Sequence, residues 1–305
     1  MGRSGTSALT RVLSMCGGTL PPGMLGADPN NPRGNWEPRE ATLLNDAILH
    51  RHDSALYDPT LRLQEEGAFD AEERAACIAE IHKYLSTLPA APLVVIKDPR
   101  ITLLSGLWFE AARLAGFDSV AVIAVRSPQE TIASIGRLLQ ASPELSSTLW
   151  LNYTLLAERH TRGVPRVFVE YANLLDNWRR EIKRISAALP MDLNAQDEGT
   201  IEDFLTPDLR RQRHGGSVPE PFGLDWNSVV YEALSAAARD EPLDESALDR
   251  VFEAYRSNEH VFRTASEDYN RIHNRAMFRL LRKSFILRPT LAFKAWVHRR
   301  DGTWA

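Results

Sequence analysis

Three short apolar runs, set between stretches of helical periodicity, constrain this chain more than any other feature. "PLVVIKDPR" (92–100), "SVAVIAVR" (119–126) and "RVFVEY" (166–171) are continuously apolar rather than alternating, the pattern of strands buried on both faces. Helices are read between and after them, near 103–115, from "SPQETIASIGRLL", near 147–162 and over 173–189. In the second of these Ser127 reads as the N-cap, Pro128 as the first turn and Glu130 as the closing member of a capping box. Upstream, Thr6 to Cys16 reads as a helix with Ala8, Leu9, Val12, Leu13 and Cys16 on one face, ended by Gly17-Gly18. Residues 19–40 read as loop, and helices follow near 41–50 and 70–88. Strands alternating with helices imply an α/β fold, a parallel sheet covered on both faces. Beyond "RRQRHGGSVPEP" the pattern turns helical, which places a domain over 1–215 and a helical C-terminal extension over 216–305.

Composition narrows the class. The chain has 305 residues, room for one large domain or a domain with an appendage, and its 44% hydrophobic and 25% charged content is that of an ordinary globular protein. A formal net charge of −4 provides no whole-chain footprint for nucleic acid. Cys16 and Cys77 lie far apart without CxxC spacing and read as reduced thiols, which with no visible signal peptide points to the cytoplasm. No apolar run approaches the ~18 residues of a membrane span.

The opening stretch, "MGRSGTSALTRVL" (1–13), has the look of a phosphate-binding loop running into a helix. Aligned on the second Gly of GxxxxGK[ST], it places Thr6 where the Lys that reaches a nucleoside triphosphate should be. Its cation is Arg3, two residues before Gly5. That arrangement suits a smaller anion on a helix N-terminus, where unpaired N–H groups and the helix dipole favour negative charge. The fold expectation is therefore P-loop-like.

"GRSGTSALTRVL" resembles the 5′-phosphosulfate loop of the sulfotransferases that use 3′-phosphoadenosine 5′-phosphosulfate (PAPS). The resemblance implies that Arg3, Ser4, Gly5, Thr6 and Ser7 bind the 5′ end of the donor. The family's second motif is a strand ending in Arg, then a helix with Ser eight residues on, and both residues hold the 3′-phosphate. "VIAVRSPQETIASI" supplies Arg126 and Ser134 at that spacing. Arg126 at the end of a strand faces the crevice where open α/β sheets bind ligands, and a guanidinium can fork onto a phosphate. A surface Arg and a Ser bonded to its own helix is the plainer alternative.

"IKDPRITLLSGLWFE" resembles the Lys-Asp-Pro strand end of the branch containing tyrosylprotein and many bacterial carbohydrate sulfotransferases. This implies Lys97 near the transferring group, while Asp98 and Arg100 either position the acceptor or pair with each other. Pro99 fills the place of the cytosolic branch's catalytic His. The base implied by the resemblance is Glu37 in "GNWEP", with Glu40 the runner-up and Trp36 either a stacking face for a sugar or a loop pin. A carboxylate that accepts the acceptor proton contributes roughly 10²–10⁴-fold. The implied reaction is in-line sulfuryl transfer from PAPS to an acceptor hydroxyl, a saccharide or glycan above a peptide tyrosine, with adenosine 3′,5′-bisphosphate (PAP) as product. Arg3 and Lys97 stabilise the departing oxygen. No metal is needed, because the leaving phosphate is weakly basic.

Weaker matches complete the expectation. "VEYANLL" resembles the family's Tyr-Glu-Asp-Leu turn, which puts Tyr171 on the adenine, although Ala172 and Asn173 replace the acidic pair. "FLTPDLRRQRHGG" (204–216) offers Arg210, Arg213 or His214 to close over the nucleotide. The family's first strand, which runs into the loop, has no counterpart before Arg3 except Met1 and Gly2, so an upstream strand of roughly 5–10 residues is expected. "MFRLLRKSFILRPTLAFKAWVHRR" (277–300) is basic and amphipathic, suited either to peripheral contact with an anionic membrane or to docking on the domain. Two other functions remain open, a P-loop kinase and a catalytically inactive PAPS- or PAP-binding protein.

Overall fold

The computed structural model describes residues 1–206, 225–258, 269, 271 and 284–300. At its centre β1 (Ala121–Val125) and β2 (Arg166–Glu170) pair in parallel, with Ala121 opposite Arg166 and Val125 opposite Glu170. Parallel neighbours need a long crossover, and α5 (Pro128–Leu139) with α6 (Pro143–His160) provides it. Side-chain alternation along the strands sends successive residues to opposite faces. Ile123, Val125 and Phe168 accordingly join one hydrophobic core, and Val122, Ala124, Val167 and Val169 join the other.

The first core is built by α2 (Arg39–Arg51), α3 (Ala71–Leu85), α4 (Ser105–Leu114) and α6, together with α10 (Trp226–Ala237) and α11 (Glu245–Ser257). Every residue of α6 from Leu145 to Tyr153 is buried, as befits a helix enclosed on all sides. The second core lies under α1 (Thr6–Met15), α7 (Tyr171–Asp176), α8 (Trp178–Ala188) and α9 (Glu198–Phe204). Helices thus cover both faces of the strand pair. The last described helix, α12 (Ser284–Arg300), buries Leu291 and Ala295 and brings Lys294 to 3.8 Å from Asp28.

Three differences from the sequence reading have physical causes. The run 92–97 forms no ladder strand: it makes a single parallel bridge to Thr19 at Val94, because no strand lies along its other edge among the described residues. The helix expected over 173–189 is two, since Asn177 breaks the run and its side-chain oxygen accepts the Arg180 N–H at 3.0 Å. The Ser127 side chain makes no cap. Glu130 turns back one turn of helix to accept from Arg126 Nε at 2.9 Å, a buried ion pair.

The C-terminal helices α10 and α11 pack into the first core rather than standing apart: Tyr255 donates to the Pro59 carbonyl at 2.6 Å and Asn227 to Ser147 Oγ at 2.6 Å. The expected boundary near 215–216 lies outside the described residues. None of the described helices is long and apolar enough to cross a membrane. Leu149 is fully buried where these elements meet, so Leu149→Ala should cost about 2–5 kcal/mol in urea unfolding; a loss under 1 kcal/mol would mean that this core is not packed as described.

Candidate functional site

The loop before α1 is shaped by backbone geometry. Arg3 and Gly5 both have positive φ, 69° and 86°, and the turn directs the first N–H groups of α1 away from the helix body. No side chain caps them, which leaves them available to an anion. Gly5 is required twice over. Its φ is left-handed, and a Cβ there would lie 2.2 Å from Cδ2 of Tyr171, whose ring closes against the loop.

Tyr171 in turn carries Arg126, whose guanidinium carbon sits 4.8 Å from the ring centroid. Arg126 leaves the end of β1, donates Nε to Glu130 at 2.9 Å and donates from its Nη1 to the Arg3 carbonyl at 2.8 Å. Arg3 donates Nε to Ser134 Oγ at 2.9 Å and Nη1 to the Asn30 carbonyl at 3.1 Å. The opening loop and the Arg126–Ser134 pair are therefore in direct contact, although more than a hundred residues separate them in sequence.

The other side of the loop meets the Lys-Asp-Pro segment. Lys97 Nζ donates to Ser7 Oγ at 3.3 Å and to Glu37 Oε1 at 2.7 Å. Asp98 is occupied structurally: it accepts the Arg100 N–H at 3.0 Å, the Arg100 guanidinium at 3.1 Å and Asn45 Nδ2 at 3.0 Å. It thereby caps the short 3₁₀ turn Pro99–Thr102 that projects Lys97 toward the loop. Of the two alternatives for Asp98 and Arg100, the pairing is observed.

The segment 26–40 is held by its own side chains. Asn35 Nδ2 donates to Asp28 Oδ2 at 2.8 Å, and Ser7 Oγ donates to the Asn35 carbonyl at 3.0 Å. Trp36 is buried at 2% exposure, donates Nε1 to the Arg33 carbonyl and stacks under Arg11; it pins the loop and offers no open face. Glu37 points inward to Lys97, whereas Glu40 stays exposed beside Arg39. Of the sequence-selected residues, Arg3, Ser4, Gly5, Thr6, Ser7, Glu37, Lys97, Arg126, Ser134 and Tyr171 all lie in this one region. Arg210, Arg213 and His214 fall outside the described residues.

One residue joins the site that no motif marked, Tyr57. The Tyr57 hydroxyl lies where a Cβ on Gly2 would meet it at 3.2 Å, and burial, then the nearby Glu37, push its pKa up to about 12. Burial works against the charge on Arg100, but Asp98, Asp46 and Glu37 outweigh it and hold its pKa above the ordinary value. Only a long-range contact could reveal Tyr57. The positive φ of Tyr57, 70°, has no signature in sequence.

No family model, curated protein or solved structure gives a significant match to the chain. The geometry itself generates one check. Gly5→Ala should lower stability by about 1–3 kcal/mol from backbone strain alone, and by more through displacement of Tyr171. Gly17→Ala, at φ 106° with nothing within 4 Å, serves as the strain-only comparison. Equal losses in the two variants would show that Tyr171 does not rest on the loop.

Proposed function

We propose that the chain is a PAPS-dependent sulfotransferase with a P-loop-like nucleotide site, acting on the hydroxyl of a saccharide or glycan. The observation that carries the reading is that one loop, residues 3–7, touches the Arg126–Ser134 pair on one side and the Lys97–Glu37 pair on the other. A donor with phosphates at both the 3′ and 5′ positions needs two anion sites that share a loop, and a reacting centre beside the 5′ one. The residues fit its charge: Arg3, Lys97 and Arg126 supply cations, and the uncapped turn of α1 supplies N–H groups.

In this mechanism Lys97 leaves Glu37 for the bridging oxygen between phosphate and sulfuryl group, where negative charge grows as the S–O bond breaks. Arg3 acts on the same phosphate. Departure of Lys97 frees the Glu37 carboxylate, which accepts the proton of the acceptor hydroxyl as its oxygen bonds to sulfur. Tyr57, half-buried and protonated, borders the same space and orients the acceptor side. Thr6 in the usual Lys position disfavours the kinase alternative, and an inactive binding protein would need no carboxylate beside Lys97.

Transfer of labelled sulfate from PAPS to a panel of saccharide acceptors tests the assignment. Glu37→Gln should lower turnover by roughly 10²–10⁴-fold with PAP binding within threefold of wild type. Lys97→Ala should lower it by roughly 10²–10³-fold. No transfer by the unaltered protein to any hydroxyl acceptor, with PAP still bound, would favour the inactive-binder reading.

We also propose that α12 rests on an anionic membrane surface. Phe293 and Trp296 are 63% and 53% exposed and stack at 5.9 Å, next to exposed Arg288 and Arg299, while Leu291 and Ala295 face the protein. The full chain should pellet with vesicles containing phosphatidylserine, and Phe293→Ser/Trp296→Ser should not. Equal recovery of both in the supernatant would leave α12 as a docked helix only.

A further inference from the structure

Tyr57 sits in the left-handed region at φ 70°, a conformation that an aromatic residue adopts only under constraint. Glycine would take it without strain. Such strain persists where the surroundings over-determine the backbone and the side chain is needed at that spot. Both conditions are met between α2 and α3, in the segment "DSALYDPT" (53–60).

Residues 57–60 are each gripped by a side chain from α6 or α11. The Tyr57 N–H donates to the Tyr153 hydroxyl at 3.1 Å. Asn152 Nδ2 donates to the Asp58 carbonyl at 3.2 Å and to the Thr60 carbonyl at 3.3 Å. Between these, the Pro59 carbonyl accepts from the Tyr255 hydroxyl at 2.6 Å. Within the segment, the buried Asp58 carboxylate accepts from Ser54 Oγ at 2.7 Å, from the Thr60 N–H at 2.9 Å and from Thr60 Oγ1 at 2.7 Å. Asn152, Tyr153 and Tyr255 are all buried. Interior positions of α6 and α11 are thus given to polar groups, which burial obliges to find partners, and the partners are the backbone around one strained residue.

The side chain held in this way reaches the opening loop. Its hydroxyl lies 3.2 Å from where a Cβ on Gly2 would stand. The charged groups near enough to act on it are Glu37, Arg3, Arg100 and Asp28, and the first two belong to the proposed reacting centre. A segment that only joined α2 to α3 would accept glycine at position 57 with less strain.

We propose that Tyr153 is a positioning residue: seconded by Asn152 and Tyr255, it locks Tyr57 in its left-handed conformation, so that the phenol stands as a fixed acceptor-side wall beside Glu37. Buried as it is, Tyr153 acts through the Tyr57 backbone rather than on substrate. The wall presents a protonated hydroxyl that can donate to an oxygen of the acceptor. Its place is set before the acceptor arrives, which spares the cost of ordering it on binding. That the wall serves an acceptor rests on the sulfotransferase reading; that the clamp sets Tyr57 does not.

Tyr153→Phe removes the hydroxyl and keeps the ring. In amide hydrogen exchange on the full chain without nucleotide, the Tyr57 N–H should exchange at least tenfold faster in this variant, with the amides of α6 within threefold of wild type. In transfer assays the acceptor KM should rise at least fivefold while PAP binding stays within twofold, a split that a smaller folded fraction would not produce. Tyr57→Phe should raise the same KM, and Tyr153→Phe added to it should raise it less than twofold further, because the second residue acts through the first. An unchanged exchange rate at Tyr57 overturns the clamp. An unchanged acceptor KM, or effects of the two substitutions that multiply, overturns its role at the site. Absence of transfer by the unaltered protein would strike the sulfotransferase reading instead, and the exchange comparison would still decide the clamp.

Discussion

The guanidinium of Arg126 is held from three directions where β1 ends: Glu130 takes Nε, the Arg3 carbonyl takes Nη1, and the Tyr171 ring lies against its face. Arg126 and Glu130 are 9% and 2% exposed, and a buried charge left without its partner costs about 3–5 kcal/mol. The pair therefore sets where the end of β1 sits relative to the opening loop. Tyr171 starts α7 directly after β2, so the same contacts tie the second strand to that loop. Gly5 follows from this arrangement, because only a residue without Cβ lets the ring close.

The cations of the site fall into two kinds. Arg126, which is buried, and Arg100 are paired with carboxylates of their own, Glu130 for one and Asp98 with Asp46 for the other. They shape the site and keep their charge whatever binds. The partners of Arg3 and Lys97 include the hydroxyls of Ser134 and Ser7, the Asn30 carbonyl and the Glu37 carboxylate, which an anion's oxygens can replace at small cost. The pair that can exchange partners lies on the 5′ side of the loop, where the proposed chemistry needs charge that follows a moving electron pair. The fixed pair builds the walls.

Much of this was legible in sequence, and the failures have causes. Apolar runs at 121–125 and 166–170 announced a parallel pair because burial on both faces leaves no polar positions. Arg3, Lys97 and Arg126 could be placed together because each sits at the end of an extended run or just before a helix, and in parallel α/β structure those ends share one edge; Ser134, in the middle of α5, was placed by the resemblance. The Ser127 cap was misread because Ser-Pro at a helix start has the pattern of an N-cap, and the pattern does not reveal whether the hydroxyl turns to the helix; the Arg126 pairing of Glu130 needs the end of β1 beside it. The run 92–97 looks like a strand and is extended, yet a ladder needs a neighbour, which its own residues cannot supply. Tyr57 reaches the site through tertiary contacts that no local spacing encodes.

The central claim is that the loop 3–7 joins two anion seats into the site of one nucleotide phosphorylated at both ends. Calorimetric titration with PAP, compared with adenosine 5′-monophosphate, addresses it most directly. The account predicts a single PAP site and at least a hundredfold weaker binding when the 3′-phosphate is missing, a difference that Ser134→Ala narrows. Equal affinity for the two nucleotides, or no binding of either, would contradict it.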